Sequence, residues 1–228
     1  MPTLALVHTG TFLTSVFTDL CREAMPDVDI FNIVDESLIK NTIAANELTP
    51  QTSRRLAEYL RSAQEAGADA ILVTCSSIGP AVEAARPFLD IPVLRVDTPM
   101  ADEAIRRGER IGVVATLPTT LKPTVELIER QARLQGKAVD VISSLCEGAF
   151  DAVASGDAET HDRLVAAAIR ELMSQADVIV LAQASMARAA DTIPESELDA
   201  PILSSPGLAV QSAQEVMSGI REYQVSAL

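Results

Sequence analysis

Cys75 is the residue best placed for covalent or proton-transfer chemistry. It follows the apolar run Ala70-Ile-Leu-Val-Thr74 and precedes Ser76-Ser-Ile-Gly-Pro-Ala81, where a helix is expected to begin. Amides exposed at a helix N-terminus stabilise a thiolate and draw a cysteine pKa down from about 8.5. A thiol so placed serves as nucleophile, general acid or general base. Residues 68–77 recur 108 positions later as residues 176–185, and there Gln183 stands in place of Cys75. An amide has no usable pKa for proton transfer, so Gln183 is confined to hydrogen bonding.

The remaining candidates gather at the ends of other apolar runs. His8, Thr9, Gly10 and Thr11 follow the first run, and Ser76 and Ser77 follow Cys75. Thr116, Pro118, Thr119 and Thr120 follow the run that opens the second half, and Ala184 and Ser185 follow Gln183. Hydroxyls and backbone amides dominate this set, and such donors grip a carboxylate without needing a cation. His8 is read either as catalytic or as a strand-end histidine with a structural hydrogen bond. His161, within the polar segment 157–163, is expected on a solvated helix face. Lys122 and Arg188 are read as solvated, and Arg95 with Asp97 as a local ion pair of little weight. Cys146 is expected to pack beneath the helix that follows it, and Cys21 to lie in a core stripe.

These residues are positioned by a duplicated framework. Leu4-Ala-Leu-Val-His-Thr9 answers Ile111-Gly-Val-Val-Ala-Thr116, Val28-Asp-Ile30 answers Val139-Asp-Val141, and Pro92-Val-Leu94 answers Pro201-Ile-Leu203, at offsets of 107 to 111. Matches in one order at nearly one spacing indicate a duplicated unit rather than shared composition. Each half reads β-α-β-α-β-α-β. In the first, Phe12, Val16, Phe17, Leu20, Cys21 and Ala24 follow a helical period. Thr49-Pro50 supplies an N-cap and a first-turn proline, and Gly67 a C-terminal stop. Alternating apolar strands and helices predict mainly parallel sheets covered on both faces, whose ligands bind beyond the carboxyl ends of the strands. The first half is assigned residues 1–98 with a C-terminal helix, 207–228, packed back on it, and the second residues 99–206.

Composition narrows the function. A chain of 228 residues with 48% apolar content supports two small domains. A net charge of −14 without clustered Lys or Arg argues against nucleic acid, and 3% aromatic content argues against a stacking platform. The apolar runs are too short to span a bilayer, and an odd count of three cysteines fits a reducing compartment, so the expectation is a cytoplasmic protein without membrane partners. No glycine-rich phosphate loop follows the first strand, and the histidines and cysteines lack zinc-ligand spacing.

The sequences Val-Thr-Cys75-Ser-Ser, Ile111-Gly-Val-Val-Ala-Thr116-Leu-Pro-Thr119-Thr120 and Val-Ile-Val-Leu-Ala-Gln183 together resemble the aspartate/glutamate/hydantoin racemase superfamily, over essentially the whole chain. The resemblance implies two pseudo-symmetric flavodoxin-like domains facing one another and a cofactor-independent homo-oligomer, a dimer or higher. It also implies catalysis by one cysteine at each of two opposed strand tips, working on opposite faces of the carbon beside a carboxylate. Cys75 matches the first cysteine; Ser76, Ser77, Thr116, Thr119 and Thr120 match carboxylate-holding positions. Gln183 replaces the second cysteine, which departs from two-base racemisation. The superfamily also holds single-thiol decarboxylases, which keep the second-half cysteine instead, and cis-trans isomerases that use the first. The expectation is therefore an isomerase acting on a small carboxylic acid through Cys75, with a malonate-type decarboxylase or an inactive carboxylate-binding protein as alternatives.

Overall fold

Short runs of consecutive apolar residues make strands buried on both faces, and that pattern recurs through both halves of the chain. The computed structural model describes residues 1–226, with side chains through residue 222. In chain order the first half holds β1 (Thr3–His8), α1 (Phe12–Ala24), β2 (Asp29–Val34), α2 (Glu36–Ala45), α3 (Pro50–Glu65), β3 (Ala70–Val73), α4 (Gly79–Ala85) and β4 (Val93–Arg95). The second holds α5 (Thr98–Arg107), β5 (Arg110–Ala115), α6 (Pro118–Leu134), β6 (Asp140–Leu145), α7 (Ala149–Ala154), α8 (Ala158–Met173), β7 (Val178–Leu181), α9 (Ala187–Ala190) and β8 (Ile202–Ser204). A final helix, α10 (Ser205–Ser226), follows.

Two compact units result. One comprises Met1–Val96 with the described residues from Pro206 onward, and the other comprises Asp97–Ser205. Each contains a four-stranded, wholly parallel sheet, in the orders β2-β1-β3-β4 and β6-β5-β7-β8. The architecture is thus α/β and flavodoxin-like in both units, as the periodicity and the resemblance predicted.

In the first unit, Ala5, Val7, Ile71, Val73 and Val93 pack against Leu38, Leu56, Leu60, Ala81 and Val82 of α2, α3 and α4. In the second, Val114, Ile179 and Leu181 pack against Val165, Ile169 and Leu172 of α8. Thr49 caps α3 by accepting the Thr52 amide, and Gly67 adopts a φ of +93° just beyond it, a left-handed geometry that glycine enters without a Cβ clash. α10 returns to the first unit, where Gln214 Nε2 donates to the Ala24 carbonyl and Arg221 pairs with Asp27. Among the described residues no helix is long and apolar enough to cross a membrane.

Asp69 and Asp177, shared by both copies of the repeat, have one local task. Each stands just before the third strand of its unit and accepts amides at the start of the first: Thr3 N–H in one case, Glu109 and Arg110 N–H in the other.

The face of α1 differs from expectation. The buried positions are Leu13, Phe17, Thr18 and Cys21, while Phe12 and Val16 are 60% and 40% exposed. An apolar set at helical period fits more than one stripe. The contact of Phe17 with the His8 ring selects the face that meets the sheet.

Candidate active site

Sheet register brings each candidate pair together within its own unit. Val7 pairs with Val73, so Thr9 lies beside Cys75; Val114 pairs with Leu181, so Thr116 lies beside Gln183. Cys75 and Gln183 have closely similar extended backbones, with φ −134°, ψ 118° and φ −133°, ψ 139° respectively. A short 3-10 turn follows each, Ser76–Ile78 and Ala184–Met186. Thiol and amide are thus presented on equivalent backbones, and the difference between the tips is one of side-chain chemistry.

On the first tip, Cys75 is half-buried. Burial pushes its thiol upward, against the Thr9 hydroxyl, the Ser77 and Ile78 amides and the Ser77 hydroxyl, all of which pull it down. The sequence had suggested a lowered thiol from the helix start alone. The amides favour the thiolate, but desolvation outweighs them, because removing a thiolate from water costs more than these neutral donors return. Thr9, Ser76 and Ser77 are buried, and Thr11 is exposed, with its hydroxyl 3.5 Å from Glu36 Oε1.

His8 is fully buried. Its Nε2 lies 2.8 Å from Asn32 Oδ1 and its Nδ1 2.8 Å from Thr74 Oγ1. Burial lowers its pKa, partly offset by the Asn32 bond, so the ring is neutral at pH 7. Asn32 Oδ1 accepts from Nε2, and the Thr74 hydroxyl at Nδ1 also lies 3.2 Å from the Val7 carbonyl, to which it donates. With both nitrogens committed inside the unit, the geometry favours the structural reading of His8.

On the second tip, Gln183 Oε1 accepts both the Thr116 amide, at 2.7 Å, and the Thr116 hydroxyl, at 3.0 Å. Two donors on one oxygen fix the amide plane and its sense, and leave Nε2–H2 as the presented group. Thr116, expected to hold a carboxylate, is therefore engaged by Gln183. Thr119 and Thr120 are buried in the first turn of α6, behind Pro118. Among the described residues Thr119 Oγ1 has no partner, an unusual state for a buried hydroxyl. Ala184 and Ser185 are half-buried.

Other candidates fall away from the tips. Cys21 and Cys146 are buried among apolar side chains, which pushes each thiol up to about 11. Lys122 is 81% exposed beside Glu126, and Arg188 reaches across to Asp162. His161 is a correction: it is fully buried, with Nδ1 2.8 Å from Asp162 Oδ1. Its polar neighbours in sequence concealed that it heads the stripe Val165, Ile169 and Leu172, which faces the sheet. Arg95 is likewise buried and pairs with Glu83 at 2.5 Å, while Asp97 is buried just before α5. Among the described residues no group of three or more His, Cys, Asp or Glu could hold a metal ion.

A family model described as Asp/Glu/Hydantoin racemase matches residues 7–213, an interval that takes in both tips. The chain belongs to that family. It is 26% identical over 165 residues to the glutamate racemase of Aquifex aeolicus, an alignment that covers 70% of this chain and 62% of that relative. Among solved structures, the glutamate racemase isoform RacE1 of Bacillus anthracis superposes with a TM-score of 0.71 at 18% identity, covering 96% of this chain and 82% of that one. The allantoin racemase of Klebsiella pneumoniae gives 0.69 at 19% identity, covering 96% and 88%. Likenesses at this identity establish the family fold.

Sequence reasoning missed the pairing of Thr116 with Gln183. A signal was present: Thr9 and Cys75 are 66 residues apart, and Thr116 and Gln183 are 67 apart. In a duplicated parallel sheet, that near-equality places each threonine beside its partner.

Proposed function

We propose that this member of an isomerase family exchanges a proton on one face of a small carboxylic acid, an amino acid, hydantoin or relative, with Cys75 as the base and without inverting the carbon. In the proposed step the Cys75 thiolate takes the proton from the carbon beside the carboxylate. The C–H electron pair moves into the carboxylate to form an enediolate, and the new thiol returns a proton to the same carbon. The observation that carries this reading is the contrast between the tips. One bears a sulfur that accepts hydrogen bonds from Thr9, Ser77 and Ile78; the other bears an amide whose oxygen is tied down by Thr116. Gln183 Nε2–H2 then acts as a neutral donor to a carboxylate or carbonyl oxygen. Thr119 Oγ1, buried and unpartnered in the first turn of a long helix, supports carboxylate binding.

A decarboxylase is the second reading, and one observation favours it. Burial holds Cys75 in the protonated form near neutral pH, which is the form needed to deliver a proton to an enediolate after carbon dioxide leaves.

Incubation with amino acids, hydantoins and malonates in deuterated water tests both. One-sided exchange appears as deuterium incorporation without inversion, abolished in Cys75→Ser, and Gln183→Cys adds measurable inversion. Carbon dioxide release from a malonate selects the second reading. Inversion by the unaltered protein, or turnover that survives Cys75→Ser, overturns the first.

A further inference from the structure

The turn carrying the Cys75 donors has no side-chain cap of its own. Ile78 occupies the N-cap of α4 without a side-chain bond, and α4 is only seven residues long. What meets it is Arg95. A Cβ built on Gly79 would fall onto the Arg95 guanidinium, so that flat group lies directly against the Gly79 backbone. The same guanidinium pairs with Glu83, one turn further along α4. Arg95 also ends β4, in register with Val73 of β3, two residues before Cys75. The segment from Cys75 to Ile78 is therefore strung between a strand and a helix that both meet Arg95, the strand through backbone pairing and the helix through the buried guanidinium.

The duplication supplies an internal control. The positions matching Gly79 and Arg95 are Ala187 and Ser204, with Ser204 in register with Leu181. The same strand, 3-10 turn and helix form there without a buried arginine or a bare Cα. Burying a guanidinium is costly even when it is paired, and the fold evidently manages without one. The arginine and its glycine occur on the tip that bears the thiol and are missing from the tip that bears the amide.

We propose that Arg95, seated on Gly79, is a positioning residue that holds the Ser76–Ile78 turn so that the Ser77 and Ile78 amides aim at the Cys75 sulfur. The inference rests on Cys75 being the working group, but it can be tested without turnover. Iodoacetamide labelling of Cys75, followed peptide by peptide in mass spectra from pH 6 to 10, reads the alignment of those amides directly.

Arg95→Ser, and the double variant Gly79→Ala/Arg95→Ser that imports the pair found on the other tip, should raise the pH of half-maximal labelling by about one unit. At pH 8 labelling should fall about threefold, a tenfold loss of thiolate being partly offset by its greater nucleophilicity. Arg95→Lys, which keeps a cation for Glu83 without the flat group, is the milder probe and should move the profile the same way by less. A double variant with unchanged circular dichroism and a Cys75 profile superimposed on that of the unaltered protein overturns the proposal. So does an Arg95→Lys profile that does not move while thermal stability falls, since Arg95 would then serve only the fold. Deuterium exchange that persists in Cys75→Ser sinks the functional reading and leaves this labelling result standing.

Discussion

The three thiols should separate cleanly when their alkylation is followed against pH, for reasons that can be worked from their surroundings. Cys21 and Cys146 are 0% and 6% exposed, with thiols pushed up to about 11. At pH 8 a thiol titrating near 11 is ionised in about one molecule in a thousand, and both sulfurs are also shielded from reagent. Cys75 is half-buried and has donors from Thr9, Ser77 and Ile78 on its sulfur, yet its net shift is upward. Its labelling rate should therefore climb close to tenfold per pH unit through neutrality, with no plateau below the ordinary cysteine value of about 8.5. The assay is timed iodoacetamide treatment across pH 6 to 10, with each cysteine peptide quantified by mass spectrometry. The proton-exchange rate under subsaturating substrate should follow the same curve, because the thiolate is the base. A plateau near pH 6 or 7 would refute the reasoning, since it would mean that the turn donors outweigh desolvation. Labelling of Cys21 or Cys146 as fast as Cys75 would equally show the burial argument to be wrong.

Thr116→Val removes the hydroxyl bond to Gln183 Oε1 and keeps the backbone one; one neutral hydrogen bond is worth about 1 kcal/mol, so turnover should fall roughly fivefold with little change in melting temperature. Glu103 is lowered from 4.5 to about 2, chiefly by its hydrogen bond to Arg106 and then by Arg107. Its folded value lies below its unfolded one, so its stabilisation is complete above about 4.5 and is lost as pH falls toward 2. Urea midpoints measured across that window should drop for the unaltered protein, and Glu103→Gln should flatten that part of the slope.

Much of the framework was legible in the chain because parallel strands and their helices repeat with the duplication. Equal offsets placed Cys75 and Gln183 at matching strand ends, and apolar continuity marked the strands as buried on both faces. Thr49-Pro50 and Gly67 announced the boundaries of α3 through backbone chemistry that acts within a few residues. The errors came where a residue's fate depends on what packs over it. His161 sits among charged neighbours in sequence yet heads an inward stripe of α8, and Phe12 and Val16 share a helical period with buried residues yet face outward.

The parallel strands and their order, and the exchange of thiol for amide, were thus determined by sequence alone, since they rest on local spacing and on the duplication itself, whereas each unit places two helices rather than the expected one between its second and third strands. The direction of the Cys75 shift, the capture of Gln183 by Thr116 and the seating of Arg95 on Gly79 were decided only by tertiary structure. Each depends on desolvation or on hydrogen-bond geometry between residues distant in the chain, and those quantities take values only once the strands are in register and the helices have closed over them.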